Sequence, residues 1–507
     1  MNPSRRVALV AAIYLGTFIA SLDISIVNLA LPTLQYALDT DLAGLQWVVD
    51  AYALCLSAFM LSSGPLSDRY GRKLTWLLGV GLFSFGSLLC ALATSLPLLL
   101  FGRAVQGIAG ALSILTQAFH DPGQRAQVIG GWTSFSALSL ILGPLLGGLL
   151  VEHAGWQSIF LINLPLGLLA LALGLWGIEE TAHPEHAAFD PLGQLLSVVW
   201  LGALTYALIA AGEGGWLSPT AWPALLLAGV GLLGFLFVER RTARPLLPLG
   251  LFRQAGFAVC NLASFVLGFS GYASLFFLSL FFQQVQGASA QQAGFYLAPQ
   301  FLAMGALSML FGRLQRHVPL RRLLVLGYLV IGLAMLALAA CGTGTAYPWV
   351  GLLLVALGLG MGLAVPGTGL AVMASVARER SGMASATMNT LRQAGMAVGI
   401  ALLGALLSGR AIVVLGDRLE ELGIADAQRL ATQAITAHRL PGSLAGLDAE
   451  LPAALAEGFR LAMLVAGASA LLAAALLWRL RVSAGPAADT VGASGRTAGV
   501  QLQADRH

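Results

Sequence analysis

Long apolar runs separated by short polar loops fill almost the whole chain. Fourteen of them match the roughly 20 residues that a helix needs to cross a bilayer, at about 7–31, 45–63, 74–93, 97–119, 128–151, 159–176, 192–211, 222–238, 257–282, 294–311, 323–340, 350–376, 384–407 and 459–480. The pattern predicts an all-α polytopic membrane protein. An even number of crossings puts both termini on one side, and the cations say which. Arg5, Arg6, Arg69, Arg72, Lys73, Arg125, Arg240, Arg241, Arg244, Arg253, Arg313, Arg316, Arg321, Arg322, Arg378 and Arg380 share one face with the tail arginines, while the short loops of the other face hold none. Positive charge stays inside, so both termini are expected in the cytoplasm. Arg410, Arg418, Arg429, Arg439 and Arg460 lie in or beside the long outer loop 409–458, and long loops report orientation poorly. Within that loop, Asp417–Ala434 carries Leu419, Leu422 and Leu430 at roughly helical spacing, which predicts an amphipathic helix over the outer mouth. One inner segment runs against the rule, with Glu179, Glu180, Glu185 and Asp190 and no compensating cation. The tail 482–507, rich in Gly, Ala, Ser and Thr, is expected to be disordered.

Composition narrows the function classes. With 58% hydrophobic and 10% charged residues, against about 25% charged in soluble domains, the chain is not a soluble globular protein. The four cysteines, Cys55, Cys90, Cys260 and Cys341, each stand alone in an apolar run and read as packing residues, so neither a metal site nor a disulfide framework is expected. Lys73 is the only lysine and no phosphate-binding glycine loop surrounds it, which argues against direct use of a nucleotide. No His, Ser and Cys constellation shares a depth, so an enzyme is disfavoured. No repeated charged ring suggests a channel. The first apolar run lacks a small-residue cleavage site and is read as a retained helix.

Charges inside apolar runs are the candidate chemistry, because a charge at membrane depth is costly and marks function by default. The first run holds Leu22-Asp23-Ile24-Ser25-Ile26-Val27-Asn28, and the fourth holds Arg103-Ala104-Val105-Gln106-Gly107. At 1.5 Å per residue, Asp23 lies about 12 Å and Arg103 about 9 Å below the same outer face. They share a layer, which leaves their lateral distance open. A structural hydrogen bond is the competing reading for Asp23, and Asn28 suits helix shaping as well as substrate contact. Asp50 and Glu213 fall near outer ends, where water is expected close by. Gly143-Pro144-Leu145-Leu146-Gly147-Gly148 in the fifth run, and Gly395 with Gly399 in the thirteenth, let helices approach closely.

The polar stretch Gly64-Pro65-Leu66-Ser67-Asp68-Arg69-Tyr70-Gly71-Arg72-Lys73 links the second and third runs. A plain positive-inside loop explains its cations but not their spacing with Gly64, Asp68 and Gly71. The stretch resembles the signature loop of the major facilitator superfamily. Together with Gly143–Gly148, Trp156-Gln157-Ser158-Ile159-Phe160-Leu161-Ile162-Asn163-Leu164-Pro165 and Gly382-Met383-Ala384-Ser385, it resembles the fourteen-span drug/proton antiporter branch, the EmrB/QacA type, from about Leu9 to Arg481. The resemblance implies a major facilitator fold of two six-helix bundles, 1–178 and 254–481, with two inserted helices in 179–253. Gly312-Arg313-Leu314-Gln315-Arg316 echoes the signature loop in the second bundle without its aspartate.

By motif, Asp23, Arg103 and Asn28 inherit the proton-coupling or substrate role. Gly64, Asp68, Arg69, Gly71 and Arg72 become the inner gate, and Gly143, Pro144, Gly147 and Gly148 the rocking interface. The implied activity is proton-coupled export of amphipathic drugs or other small toxic compounds by alternating access, driven by the proton gradient with no bound cofactor. The chain is expected in a bacterial-type inner membrane, without nucleic-acid partners, as a monomer or with an accessory efflux subunit. Export of an endogenous amino acid, peptide or lipid precursor is the alternative, and a non-transporting membrane sensor a weaker one. Two departures from the family pattern stand out. The fourth run continues past Gly110 without the usual proline and is about two helical turns short before Arg125, and the tenth, around Pro299 and Gln300, has no carboxylate.

Overall fold

Among the described residues all regular structure is helical, as a bilayer requires of segments that must satisfy every backbone N–H and C=O internally. The computed structural model describes residues 3–112, 122–181, 190–242, 245–247, 249–377, 380–437, 447 and 449–480. The helices are α1 (Pro3–Ala37), α2 (Leu42–Tyr70), α3 (Arg72–Ala91), α4 (Leu96–Leu112), α5 (Pro122–Ala154), α6 (Ser158–Leu161), α7 (Asn163–Gly177), α8 (Pro191–Gly214) and α9 (Ala221–Arg241). They continue with α10 (Ala255–Val266), α11 (Ser274–Leu280), α12 (Ala290–Gln315), α13 (Leu320–Leu338), α14 (Tyr347–Ala374), α15 (Ser381–Glu421), α16 (Ala427–Ala437) and α17 (Glu450–Arg479). Among the described residues, twelve helical segments are long and apolar enough to cross a membrane, and two shorter apolar helices, Leu96–Leu112 and Leu138–Ala154, occupy the fourth and fifth positions in order. The shortened region after Leu112 and the tail lie outside the described residues.

In the first half, α1 packs on α5 and α7, α2 on α4, and α3 on α4 and α7. In the second, α12 packs on α14, α13 on α14 and α17, and α15 on α17 and α10. The halves meet along two seams, α5 against α12 and α2 against α15. The α8–α9 hairpin covers the second seam. Gln194 of α8 bonds Ser62 and the Ala58 carbonyl of α2, and at the other end Gly212 sits against Ala405 of α15.

The segment Ala255–Val285 is wound loosely, with π turns at Leu267–Tyr272 and Phe281–Val285 on either side of α11. Such bulges often mark functional positions, and here the first ends at Tyr272, which lines a cavity with residues of α1 and α12. The expected amphipathic helix over Asp417–Ala434 is corrected. α15 runs on to Glu421, the chain turns through Gly423 and Asp426 at positive φ, and a separate α16 follows.

Three residues of the acidic segment, Glu179, Glu180 and Asp190, have partners, while Glu185 lies outside the described residues. Glu179 pairs with Arg5 at 3.2 Å, and Asp190 accepts the Gly193 N–H at 2.9 Å as the cap of α8. Glu180 accepts the N–H groups of Lys73 and Leu74, both at 3.0 Å, where the positive end of the α3 dipole favours an anion. Gly71 makes this possible. Its φ of +103° turns the chain, and a Cβ there would fall 2.5 Å from the Glu180 carboxylate.

Candidate functional site

Asp23 and Arg103 meet. Asp23 projects from α1 into the first half, where its carboxylate accepts from Arg103 Nη1, from Gln106 Nε2 at 3.1 Å and from Asn163 Nδ2 at 3.4 Å. Arg103 also donates to Gln106 Oε1 at 2.8 Å and to the Val48 carbonyl at 2.9 Å, and it stacks 4.6 Å from the centre of the Tyr52 ring. Ser87 of α3 closes the ring, accepting from Gln106 at 2.7 Å and Asn163 at 3.3 Å. Asp23, Ser87, Arg103, Gln106 and Asn163 are all fully buried. A buried ion pair survives when further hydrogen bonds offset the desolvation of both charges, and this carboxylate has three donors. Local sequence explains the tight assembly. Gly107 lets α4 reach the α2 backbone, where any Cβ would lie 2.4 Å from the Tyr52 carbonyl.

Gln106, Asn163 and Ser87 are uncharged, so the sequence alone does not mark them as site residues. The three-residue step from Arg103 to Gln106, which puts both on one helix face, was the available clue. Asn28 is not part of this network. It lies on another face of α1 with Ile24, and both line a cavity of about 20 Å³ between the halves. Tyr272, Gln300, Phe301, Met361 and Met396 form its other walls. That is space for about one water. Asn28 Nδ2 donates to the Ile24 carbonyl at 2.9 Å. A larger crevice of about 700 Å³, lined by Arg6, Val7, Tyr14, Phe135, Leu169 and Leu173, belongs to α1, α5 and α7 alone and does not reach the seam.

Asp50 is placed differently from the expectation that water lies near it. It sits about 12 Å along α2, on the face whose Gln46 and Ser57 donate to the Ile400 and Thr390 carbonyls of α15 at 2.8 and 3.1 Å. It is fully buried, and neither carboxylate oxygen has a hydrogen-bond partner among the described residues. The side chain of Glu213 lies outside the described residues.

The signature loop joins α2 to α3, and the glycine–proline cluster lies in the second half of α5. Asp68 pairs with Arg72 at 2.9 Å, Arg69 lies over the Tyr70 ring, and Lys73 Nζ holds the Leu175 carbonyl at 2.7 Å. Gly64 has open space around it. On α5, Gly143 and Gly147 face Ser25 and Ile26 of α1, with a Cβ at Gly147 falling 3.0 Å from the Ile26 carbonyl. Gly148 faces the other half, where a Cβ would meet the Ala290 carbonyl at 2.5 Å, and the Pro144 carbonyl fits against Gly294 of α12. At this end the halves are latched. Glu152 accepts from Ser289 Oγ at 2.8 Å and Gln291 N at 3.1 Å, Ser279 donates to the Asn28 carbonyl at 2.6 Å, and Gln284 to Gln35 at 3.0 Å.

Comparison with known proteins adds the family. The model of the Major Facilitator Superfamily matches residues 13–400. The chain is 35% identical to the multidrug resistance protein Stp of Mycobacterium tuberculosis, over 94% of this chain and 92% of that protein. It is 32% identical to the tetracenomycin C resistance and export protein of Streptomyces glaucescens, over 92% and 90%. It is 33% identical to the methylenomycin A resistance protein of Bacillus subtilis, over 80% and 88%. Among solved structures, a bacterial homolog of the human lysosomal transporter Spinster aligns with a TM-score of 0.62 at 21% identity, over 94% of this chain and 97% of that one. A D-xylose–proton symporter aligns at 0.59 and 12% identity, over 94% and 97%, a likeness of fold alone.

Proposed function

Because the chain belongs to the major facilitator superfamily, a family of membrane transporters for small molecules, we propose that it is a proton-coupled exporter of amphipathic drugs working by alternating access. The drug-export part draws on relatives named for multidrug and antibiotic resistance and for export. Coupling to protons draws on one observation, the fully buried Asp23–Arg103 pair inside the first bundle. An ionisable pair at membrane depth is expensive to keep without a task. Protonating Asp23 removes the counter-charge of Arg103, so the network must rearrange and α1 with it. The cavity residues Ile24 and Asn28 ride on the same helix. Proton and cargo are then linked through helix movement, each changing the other's affinity by the same factor.

The rest of the reading follows this scheme. Fourteen crossings are reached when the two shorter apolar helices are counted with the twelve long ones. Both termini are in the cytoplasm, 1–178 and 254–481 form the two bundles, and α8 and α9 are the insertion. The chain works as a monomer, needs no bound cofactor and draws on the proton gradient. Asp68 and the signature loop form the inner gate, taking a partner across the halves in the opposite conformation. The latched end, where α5 meets α12, is then the outer one, and this conformation is closed to the outside.

The test is ΔpH-driven efflux in everted vesicles across a panel of resistance compounds. Export is expected for the unaltered protein and none for Asp23→Asn, with energy-independent exchange of substrate partly retained. A stable, well-expressed Asp23→Asn protein that still concentrates substrate against its gradient would remove Asp23 from the coupling step and make Asp50 the next to test.

A further inference from the structure

The cavity between the halves has walls but no counter-charge. Among the described residues that line it none is ionisable at neutral pH, and its polar groups are the amides of Asn28 and Gln300 and the Tyr272 hydroxyl. Asp23, one residue from Ile24, turns the other way and is sealed behind Arg103, Gln106 and Asn163. A cation does stand near the cavity wall: the Arg392 guanidinium lies 5.5 Å from the centre of the Tyr272 ring. A positively charged ligand would therefore leave water for an apolar space whose lining residues carry no anion, with a positive charge nearby.

Two atoms point to what does fit. Asn28 Oδ1 and Gln300 Oε1 are buried amide oxygens without a hydrogen-bond partner among the described residues, on α1 and α12, from opposite halves. Their amide nitrogens are occupied, that of Asn28 by the Ile24 carbonyl at 2.9 Å and that of Gln300 by the Met361 sulfur at 3.7 Å. Buried polar atoms are nearly always satisfied, so orphaned acceptors on two residues that line one cavity call for a donor. Phe301, Met361 and Met396 supply aromatic and thioether surface beside them, suited to a flat apolar body.

We infer that the cavity between the halves selects uncharged, largely apolar molecules carrying a hydroxyl or N–H donor, which Asn28 Oδ1 or Gln300 Oε1 accepts. The inference rests on the reading of the chain as an exporter whose cargo passes between the halves. Opening the seam widens the cavity from both sides. The donor then replaces the single water that the closed space admits.

The full-length protein in nanodiscs tests this by equilibrium binding of three probes: 6-hydroxyflavone, 6-methoxyflavone, which has the same rings without a donor, and tetraphenylphosphonium, a permanent cation. The hydroxyl compound is expected to bind about tenfold tighter than its methyl ether, the worth of a hydrogen bond to a buried acceptor, and the cation more weakly than either. A single hydroxyl proton engages one acceptor at a time, so Gln300→Leu or Asn28→Leu, whichever removes the engaged oxygen, should abolish the hydroxyl preference while 6-methoxyflavone still binds, which separates lost recognition from lost folding. Tight binding of tetraphenylphosphonium would overturn the inference, as would a hydroxyl preference that survives in both variants or no binding of 6-hydroxyflavone. Transport of the same compounds is read separately. Preserved binding selectivity with no ΔpH-driven movement counts against export and leaves the cavity assignment standing.

Discussion

Two buried aspartates in the first half sit in opposite environments. Asp23 is held by a guanidinium and two amides, whereas Asp50 has both oxygens without a donor. Removing one partner of a buried ion pair strands the other, at about 3–5 kcal/mol, whereas replacing the pair by apolar groups is often neutral. Asp23→Asn is therefore expected to lower the melting temperature sharply in detergent, and Asp23→Asn/Arg103→Leu to regain most of the loss without regaining ΔpH-driven transport. Recovery of transport along with stability would make the pair purely structural. Asp50→Asn has the opposite sign. A carboxylate with no donor at zero exposure gains nothing from its charge, so the amide should leave the melting temperature unchanged or raise it. A marked drop would mean that Asp50 holds a contact across the α2–α15 seam.

At the scale of helices, glycine sets how closely the two halves approach. The α5–α12 seam closes because Gly148 receives the Ala290 backbone and Gly294 receives the Pro144 carbonyl. Backbone cannot yield as a flexible side chain can, so the helices must part. Gly148→Val is expected to hold the latched end ajar, raise thiol labelling at Gln35→Cys, which is buried at that end, and slow transport about tenfold or more. Equal labelling with and without the valine would show that α12 shifts to absorb the added bulk. The α8–α9 hairpin spans the other seam, tied to α2 at Gln194 and packed on α15 at Gly212, so any rocking of the halves must slide or bend it.

For the whole molecule, the membrane topology orders everything else. In a protein freed of its four cysteines, Arg6→Cys and a cysteine at position 496 are expected to label only from the cytoplasm, and Gln428→Cys only from outside. Gln428 is the better outer reporter than its neighbour Ala427, which is buried at the start of α16. Outside labelling at position 496 would overturn the fourteen-crossing topology.

What the sequence determined by itself are the properties each segment has alone. The apolar runs, the cations beside them, the charges at Asp23 and Arg103 and the spacing of Gly64, Asp68 and Gly71 could all be read directly. The bilayer acts on one segment at a time, through length, hydropathy and flanking charge. Depth along the helix axis puts Asp23 and Arg103 in one layer but leaves their lateral distance open. Which helix stands beside which is decided by packing among surfaces that are almost equally apolar, where no hydrophobic driving force ranks the partners. So only the tertiary structure could join Asn163 and Ser87 to the ion pair, bury Asp50 in the seam and split α16 from α15. It also turned Asp23 away from the cavity that Asn28 and Gln300 line, because one residue's rotation on a helix changes the neighbour a side chain meets without changing its depth.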